Sequence, residues 1–145
     1  MRKLYIALGV AAILVGGAQL VRPSLSNPAA DPGASFLAVA RSPKAAEILN
    51  RSCGDCHSHQ TVWPWYSQVA PASWLLASDV NEGRARLNLS EWNRYSAEMS
   101  AIRMKQICAE VSRGEMPPWY YAAMHPAAKL SQADKAVLCA PPPAP

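Results

Sequence analysis

Two thiols and an imidazole stand together at residues 53–57, where Cys53 and Cys56 are three positions apart and His57 follows directly. The two sulfurs can add to the two vinyl groups at one edge of a haem, while the imidazole binds the iron. The same residue types also suit half of a zinc site or a redox-active dithiol. The spacing favours a c-type haem, held covalently by Cys53 and Cys56, with His57 as the proximal iron ligand.

The iron of such a haem has a second axial position, and the sequence offers two main donors for it. Met116 follows Gly114 and precedes Pro117 and Pro118, which stiffen the loop because proline fixes φ. A thioether opposite histidine raises the reduction potential, which suits electron transfer. Met116 is therefore the predicted distal ligand, although a methionine here also suits core packing. His125 is the alternative ligand in the same region of the chain.

The other histidine and methionine residues are expected to have structural roles. His59 is too close in sequence to the proximal ligand to cross the haem, so it is predicted on the surface. A ligating imidazole normally donates its second N–H to a carbonyl or carboxylate, and we expect the Pro71 carbonyl to accept it from His57. Core packing is expected for the remaining methionines, which are Met99, Met104 and Met124.

Aromatic residues are dense directly after the cysteine motif, in the segment 61–74. Aromatic rings can line a flat macrocycle and exclude water, and they can equally form the core of the domain. Their indole and phenol donors, together with Arg84, suit the propionates of a haem. The residues concerned are Trp63, Trp65, Tyr66 and Trp74.

The N-terminus has the pattern of an export segment. Arg2 and Lys3 precede an apolar run from residue 4 to residue 21. As a helix this run extends about 27 Å, close to the roughly 30 Å hydrocarbon core, so residues 1–22 are predicted to form one transmembrane helix. Small residues at 16–18 offer a cleavage site as the alternative. The positive-inside rule predicts a single-pass protein of the bacterial inner membrane with its body in the periplasm.

The remaining chain divides by composition. Residues 23–35 are rich in proline, serine and alanine and are predicted to form a linker. Residues 36–140 suit one haem c-binding domain, and residues 141–145 are predicted to be a disordered proline-rich tail. The net charge is +4, but it falls to +1 without the basic residues at 2, 3 and 22. Because no other Lys/Arg cluster stands in the chain, binding of nucleic acid is not expected.

Apolar periodicity and end signals predict an all-α body of short helices around one haem. Gly83 and Gly114 are expected to end two of these helices in left-handed conformation. In the segment after Ser90, a change of apolar stripe between Ile102 and Met104 predicts a break or kink. The helices are expected to begin after Ser42, near Ala72, after Ser90 and, with a capping box, after Ser131.

The chain contains four cysteines, of which Cys108 and Cys139 lie outside the haem motif. An oxidising compartment favours a disulfide between them, which would tie the last helix to its predecessor. The alternative is two small buried apolar side chains, since free cysteine packs well in cores.

Short motifs spread along the body form a specific set. They are Cys53 to Ser58, Trp63 to Ser67, Ala70-Pro71, Asp79-Val80, Glu82 to Arg84, Leu87-Asn88, Ser90 to Trp92, Gly114 to Pro117 and His125-Pro126. The set resembles that of the bacterial haem-binding domain family, a group of small c-type cytochrome-like proteins. The resemblance implies a single haem c in a cytochrome c-like fold, with Cys53, Cys56 and His57 at attachment and proximal ligation. Met116 matches the methionine-proline position of cytochrome c-like chains.

Together these features predict a membrane-tethered, periplasmic, monohaem c-type cytochrome. It would exchange single electrons with redox partner proteins that the sequence does not identify, and it would not be an enzyme. One alternative is a haem-based sensor in which a small ligand displaces Met116. The same residues also suit an accessory haem domain of a peroxidase-like system, or a dithiol oxidoreductase that uses Cys53 and Cys56.

Overall fold

The structure of the chain is a computed structural model that describes residues 1–39 and 42–141. The regular secondary structure of these residues consists of helices and contains no strand, which confirms the all-α class. The α-helices are α1 (Arg2–Ala18), α2 (Phe36–Val39), α3 (Pro43–His57), α4 (Ala72–Arg86), α5 (Ala97–Arg113), α6 (Trp119–Met124) and α7 (Gln132–Cys139). Short 3₁₀ turns cover Pro32–Ala34, Trp65–Gln68, Leu89–Arg94 and Pro126–Ala128. Of the predicted tail at 141–145, residues 142–145 lie outside the described part.

The N-terminal helix α1 is apolar, but it is shorter than the sequence predicted. It has 17 residues, so at about 1.5 Å per residue it extends about 26 Å. Across residues 1–39 and 42–141, no helix combines the length and apolarity that a membrane span requires. The predicted transmembrane helix is therefore not found, because the helix ends at Ala18 while the apolar sequence continues to Val21.

Two predicted helix starts and one predicted helix end are confirmed. The Ser42 hydroxyl accepts from the Ala45 amide at 3.3 Å at the start of α3. Ser131 and Asp134 form the capping box of α7. Gly114 follows α5 in left-handed conformation with φ of 77°.

Gly83 does not end a helix, which corrects the prediction. Helix α4 continues past it to Arg86. Gly83 is buried where α4 meets α3, and a Cβ at this position would lie 2.5 Å from the Cys56 carbonyl oxygen. The absence of a side chain at this position therefore allows two helices to approach closely. In the sequence, such a glycine looks the same as one that ends a helix.

The break in the segment after Ser90 does not lie at the change of apolar stripe, because α5 is continuous over Ala97–Arg113. A 3₁₀ segment over Leu89–Arg94 precedes α5, and the Ser96 hydroxyl caps α5 by accepting from the Met99 amide at 3.2 Å. Phe36 packs edge-on against Trp92 with ring centroids 4.6 Å apart. These contacts place α2 and the 3₁₀ segment against one end of the core.

The core of the domain lies among α3, α5 and α7. Its four largest fully buried apolar side chains are Ile48, Leu49, Val111 and Leu138. A disulfide joins Cys108 of α5 to Cys139 of α7, which decides between the two alternatives that the sequence left open. The core thus holds α3, the helix that ends in the cysteine motif, in a fixed position.

The segment between α1 and α2 is hydrogen-bonded to the body. The Gln19 amide group donates to the Ala70 carbonyl and accepts from the Ala70 amide, at 3.2 and 3.0 Å. Trp74 Nε1 donates to the Val21 carbonyl at 2.7 Å, and Asn27 Nδ2 donates to the Thr61 carbonyl at 2.9 Å. This segment therefore lies along the loop that follows the cysteine motif.

Candidate functional site

His57 is the last residue of α3, and its imidazole is oriented by backbone carbonyls of α4 and its C-cap. Its Nδ1 lies 3.0 Å from the Gly83 carbonyl oxygen and 3.1 Å from that of Leu87. Because carbonyls only accept, Nδ1 carries the proton and Nε2 keeps its lone pair. Burial lowers the pKa of His57, and the two carbonyl contacts oppose this shift. The imidazole is thus prepared to bind a metal through Nε2.

The predicted acceptor for His57 was wrong. The Pro71 carbonyl accepts instead from the Trp74 and Leu75 amides at 3.1 and 3.3 Å, in the first turn of α4. These bonds satisfy two backbone N–H groups at the helix N-terminus, so the Pro71 carbonyl is not available to His57. The two actual acceptors come from the far end of the same helix, which crosses α3 next to Cys56.

Cys53 and Cys56 are free, partly buried thiols on the last turns of α3. Burial raises the pKa of each to about 12, and nearby negative charge adds to the effect. For Cys56 these charges are Asp79 and Asp55. Both side chains are therefore protonated at neutral pH.

A cavity of about 330 Å³ opens beside Cys56. Its volume falls at the lower end of the usual range for ligand sites. Its walls are mainly apolar and aromatic. They are formed by Asp55 and Cys56 of α3, the loop Thr61–Tyr66, residues Ala72, Leu75, Leu76, Asp79 and Val80 of α4, residues Tyr120, Tyr121 and Met124 of α6, and His125.

One polar atom in this wall has no partner. Trp63 lines the cavity, and its indole Nε1 is buried without a hydrogen bond among the described residues. Buried N–H donors are normally satisfied, and leaving one unpaired costs about 1–3 kcal/mol. The cavity therefore suits a ligand that is apolar over most of its surface and brings a hydrogen-bond acceptor.

The two predicted distal donors occupy different positions. His125 lines the cavity, its Nδ1 donates to the Tyr121 carbonyl at 3.1 Å, and its Nε2 accepts from the Tyr66 hydroxyl at 3.2 Å. Met116 lies in the turn after α5, is 37% exposed, and is not part of the cavity wall. The structure therefore brings His125 to the cavity and leaves Met116 outside it. One short helix, α6, separates the two residues.

The tyrosines of α6 contribute contacts that sequence reasoning missed. The Tyr121 hydroxyl donates to Asp55 Oδ2 at 2.6 Å, and the Tyr120 hydroxyl donates to Asp79 Oδ2 at 2.9 Å. Both tyrosines line the cavity. The aromatic run Trp119 to Tyr121, directly after the two prolines, was the signal that would have indicated them.

Arg84 and His59 do not line the cavity. The Arg84 guanidinium donates to the Ser58 carbonyl, the Asn27 side chain and the Thr61 hydroxyl, at 2.7, 2.7 and 2.8 Å. It therefore joins the N-terminal segment to the loop after the cysteine motif. His59, which was predicted on the surface, is partly buried and contacts the Ala29 carbonyl and the Asn88 side chain, because the N-terminal segment packs over it.

The whole body matches a known family. The model of the haem-binding domain family matches residues 13–140. The chain belongs to the haem-binding domain family. No curated protein and no solved structure matches it.

The residues of this haem-binding domain fit the group that the family name implies. A haem needs an imidazole with a free nitrogen, an apolar cavity and donors for its carboxylates. His57 supplies the imidazole, and Trp63 supplies an unpaired donor. Cys56 and Trp63 line the cavity, whereas Cys53 and His57 lie outside its wall. Within residues 1–39 and 42–141, no three His, Cys, Asp or Glu side chains are grouped to hold a metal ion alone, so the zinc interpretation gains no further ligand there.

Proposed function

We propose that this haem-binding domain is a c-type monohaem cytochrome that carries single electrons. Cys53 and Cys56 would bind the haem covalently, and His57 Nε2 would bind the iron. The observation that carries the proposal is the orientation of His57, which directly follows Cys56 and whose Nδ1 donates to the Gly83 and Leu87 carbonyls. This arrangement fixes the tautomer and the ring plane that a proximal ligand needs.

The bound haem would supply the one-electron chemistry. The chain would hold the haem in position and keep water from it. Aromatic and aliphatic side chains of the cavity wall exclude water. Trp63 Nε1 is available to a haem carboxylate. Met116 remains the proposed distal ligand and His125 the alternative. His125 already lines the cavity, whereas ligation by Met116 would require the turn before α6 to move toward it.

Location and partners are part of the same proposal. Covalent haem attachment takes place outside the cytoplasm, so we infer that residues 1–22 direct export and that the body is periplasmic. Attachment to the inner membrane through this segment is tested by cell fractionation. The partners would be redox proteins, and nucleic acid would not be among them. No catalytic turnover beyond electron transfer is proposed.

The test is to produce the chain together with a haem-attachment system and to measure a pyridine haemochrome spectrum. One haem per chain with the spectrum of two thioether bonds is the expected result. Cys53→Ala combined with Cys56→Ala is expected to abolish covalent haem, whereas Cys108→Ala combined with Cys139→Ala is expected to retain it. Covalent haem in the first double variant would contradict the proposal.

A second candidate function is a haem-based sensor, favoured by the position of Met116 outside the cavity wall. In a sensor a small external ligand displaces the distal ligand. Spectra of wild type, Met116→Ala and His125→Ala separate the possibilities. If the protein is an electron carrier, wild-type ferrous protein is expected to keep its own distal ligand and not to bind carbon monoxide, and only the variant that lacks the true ligand becomes high-spin without added ligand. Rapid binding of carbon monoxide to wild type supports the sensor.

A further inference from the structure

Helix α6 lies between the two donors that compete for the distal position. Met116 precedes it and His125 follows its last residue. The helix has only 6 residues, so packing and side-chain contacts must hold it in place, since short helices are marginal alone. Its contacts therefore decide where either donor lies relative to the cavity.

Two adjacent tyrosines tie α6 to two different helices. Tyr121 donates to Asp55 of α3 at 2.6 Å, and Tyr120 donates to Asp79 of α4 at 2.9 Å. These are the two helices that hold the proximal imidazole, because His57 ends α3 and Gly83 of α4 accepts from it. The pair of hydrogen bonds thus connects the distal side directly to the proximal side.

Partial burial and neighbouring groups stabilise the hydrogen bonds of Tyr120 and Tyr121. Both tyrosines are partly buried and line the cavity. Burial and the Asp79 carboxylate raise the pKa of Tyr120 to about 12, so its hydroxyl keeps its proton at neutral pH. Tyr121 also stacks on His125 with ring centroids 4.2 Å apart. Hydrogen bonds to ionised acceptors are stronger than those between neutral groups.

We propose that Tyr120 and Tyr121 are positioning residues that hold α6 over the cavity and thereby keep the distal iron ligand in place. The inference rests on the proposed haem site. With both hydrogen bonds intact, the distal ligand exchanges slowly and the protein acts as an electron carrier. Without them, α6 moves away more often and external ligands reach the iron.

The experiment compares Tyr120→Phe, Tyr121→Phe and the double variant with wild type as haem-loaded proteins. Phenylalanine keeps the ring and removes only the hydroxyl. Imidazole binding to the ferric protein and carbon monoxide binding to the ferrous protein are followed by stopped-flow absorption. The loss of either hydroxyl is expected to speed ligand entry about tenfold or more, because a hydrogen bond to a charged group shifts an equilibrium constant by at least about that factor.

Tyr95→Phe is the matched control. Tyr95 is also partly buried and its hydroxyl accepts from the Asn88 amide at 3.5 Å, but it does not line the cavity. Its ligand-entry rates are expected to equal those of wild type. Asp79→Asn keeps an acceptor for Tyr120, so its increase is expected to be smaller than that of Tyr120→Phe. This variant also provides the test if a tyrosine variant fails to accumulate.

The outcomes separate the two levels of the proposal. Wild type that carries no haem would overturn the proposed function itself. Haem-loaded variants with wild-type ligand-entry rates would overturn only the role of the tyrosines. Equal acceleration in Tyr95→Phe would also overturn it, because it would indicate a general loosening of the fold. An Asp79→Asn increase as large as that of Tyr120→Phe would overturn the part assigned to Tyr120.

Discussion

Gly83 lets α4 lie closer to the end of α3 than any larger residue would permit. A Cβ there would lie 2.5 Å from the Cys56 carbonyl oxygen, and backbone atoms cannot yield as a flexible side chain does. We expect Gly83→Ala to lower the free energy of unfolding by about 1–3 kcal/mol, as measured by urea denaturation. Gly54→Ala is the control, because its nearest neighbour is the Asn50 side-chain oxygen at 3.4 Å. Equal stability of the two variants would refute the argument.

The thiols of the haem motif offer a second test at this scale. Burial raises the pKa of Cys53 and Cys56 to about 12, so in the folded, haem-free protein both are expected to react slowly with iodoacetamide at pH 8. The rate should rise as pH approaches 12. In urea the same thiols should react at the rate of free cysteine, as followed by mass spectrometry. Fast labelling of the folded protein at pH 8 would show that the thiols are accessible.

Individual site residues could be predicted only where local sequence determines them. Cys53, Cys56 and His57 follow from a spacing within one helical turn. The acceptors for His57 could not be predicted in this way, because they lie 26 and 30 positions later and depend on how α4 crosses α3. The aromatic run at 119–121 could have indicated Tyr120 and Tyr121, but not their acceptors, which lie 41 and 66 positions earlier.

At the scale of elements, the disulfide joins α5 to α7 across a sequence separation of 31 residues. Closing a loop of this length restricts the unfolded chain by roughly 3–4 kcal/mol. The Cys108→Ser and Cys139→Ser double variant is therefore expected to lose about that much stability in urea denaturation. Haem content should be unchanged, because neither residue lines the cavity. Wild-type stability in the double variant would contradict the prediction.

The capping box of α7 predicts a dependence on pH. Hydrogen bonds from the Ser131 amide and hydroxyl, with a smaller effect of Arg51, lower the pKa of Asp134. A lowered pKa in the folded state means that the stabilisation is present above the ordinary value of 3.8 and is lost as pH falls below it. Wild type should therefore be more stable than Asp134→Asn at pH 6, with the difference shrinking below pH 3.8. Thermal melts across this range provide the measurement.

Helix starts proved more predictable than helix ends. A capping serine and its partner lie within four residues of each other, so Ser42 and Ser131 could be identified from sequence. Gly83 could not, because a glycine at a helix end and a glycine at a helix crossing look alike. The end of α1 at Ala18 was also missed, since hydropathy alone continued the helix to Val21.

At the scale of the whole molecule, α1 and the segment after it differ in their contacts. No residue of α1 is buried. Gln19, Val21 and Asn27, in contrast, form hydrogen bonds with the loop after the haem motif and the start of α4. The segment at 19–31 therefore contacts the cavity wall at Thr61 and holds the loop next to it, which composition alone did not indicate.

Two truncated chains test whether α1 and the segment at 19–31 differ in what they contribute to stability. Both shortened chains are exported with the same cleavable foreign signal, and thermal unfolding and haem content are measured. Removal of residues 1–18 is expected to leave both unchanged, because α1 buries nothing. Removal of residues 1–31 is expected to cost about 2 kcal/mol or more, since several hydrogen bonds of roughly 0.5–1.5 kcal/mol each are lost. It should also expose the loop at 61–71 to proteolysis. Equal stability of the two truncated chains would show that residues 19–31 do not hold this loop in place.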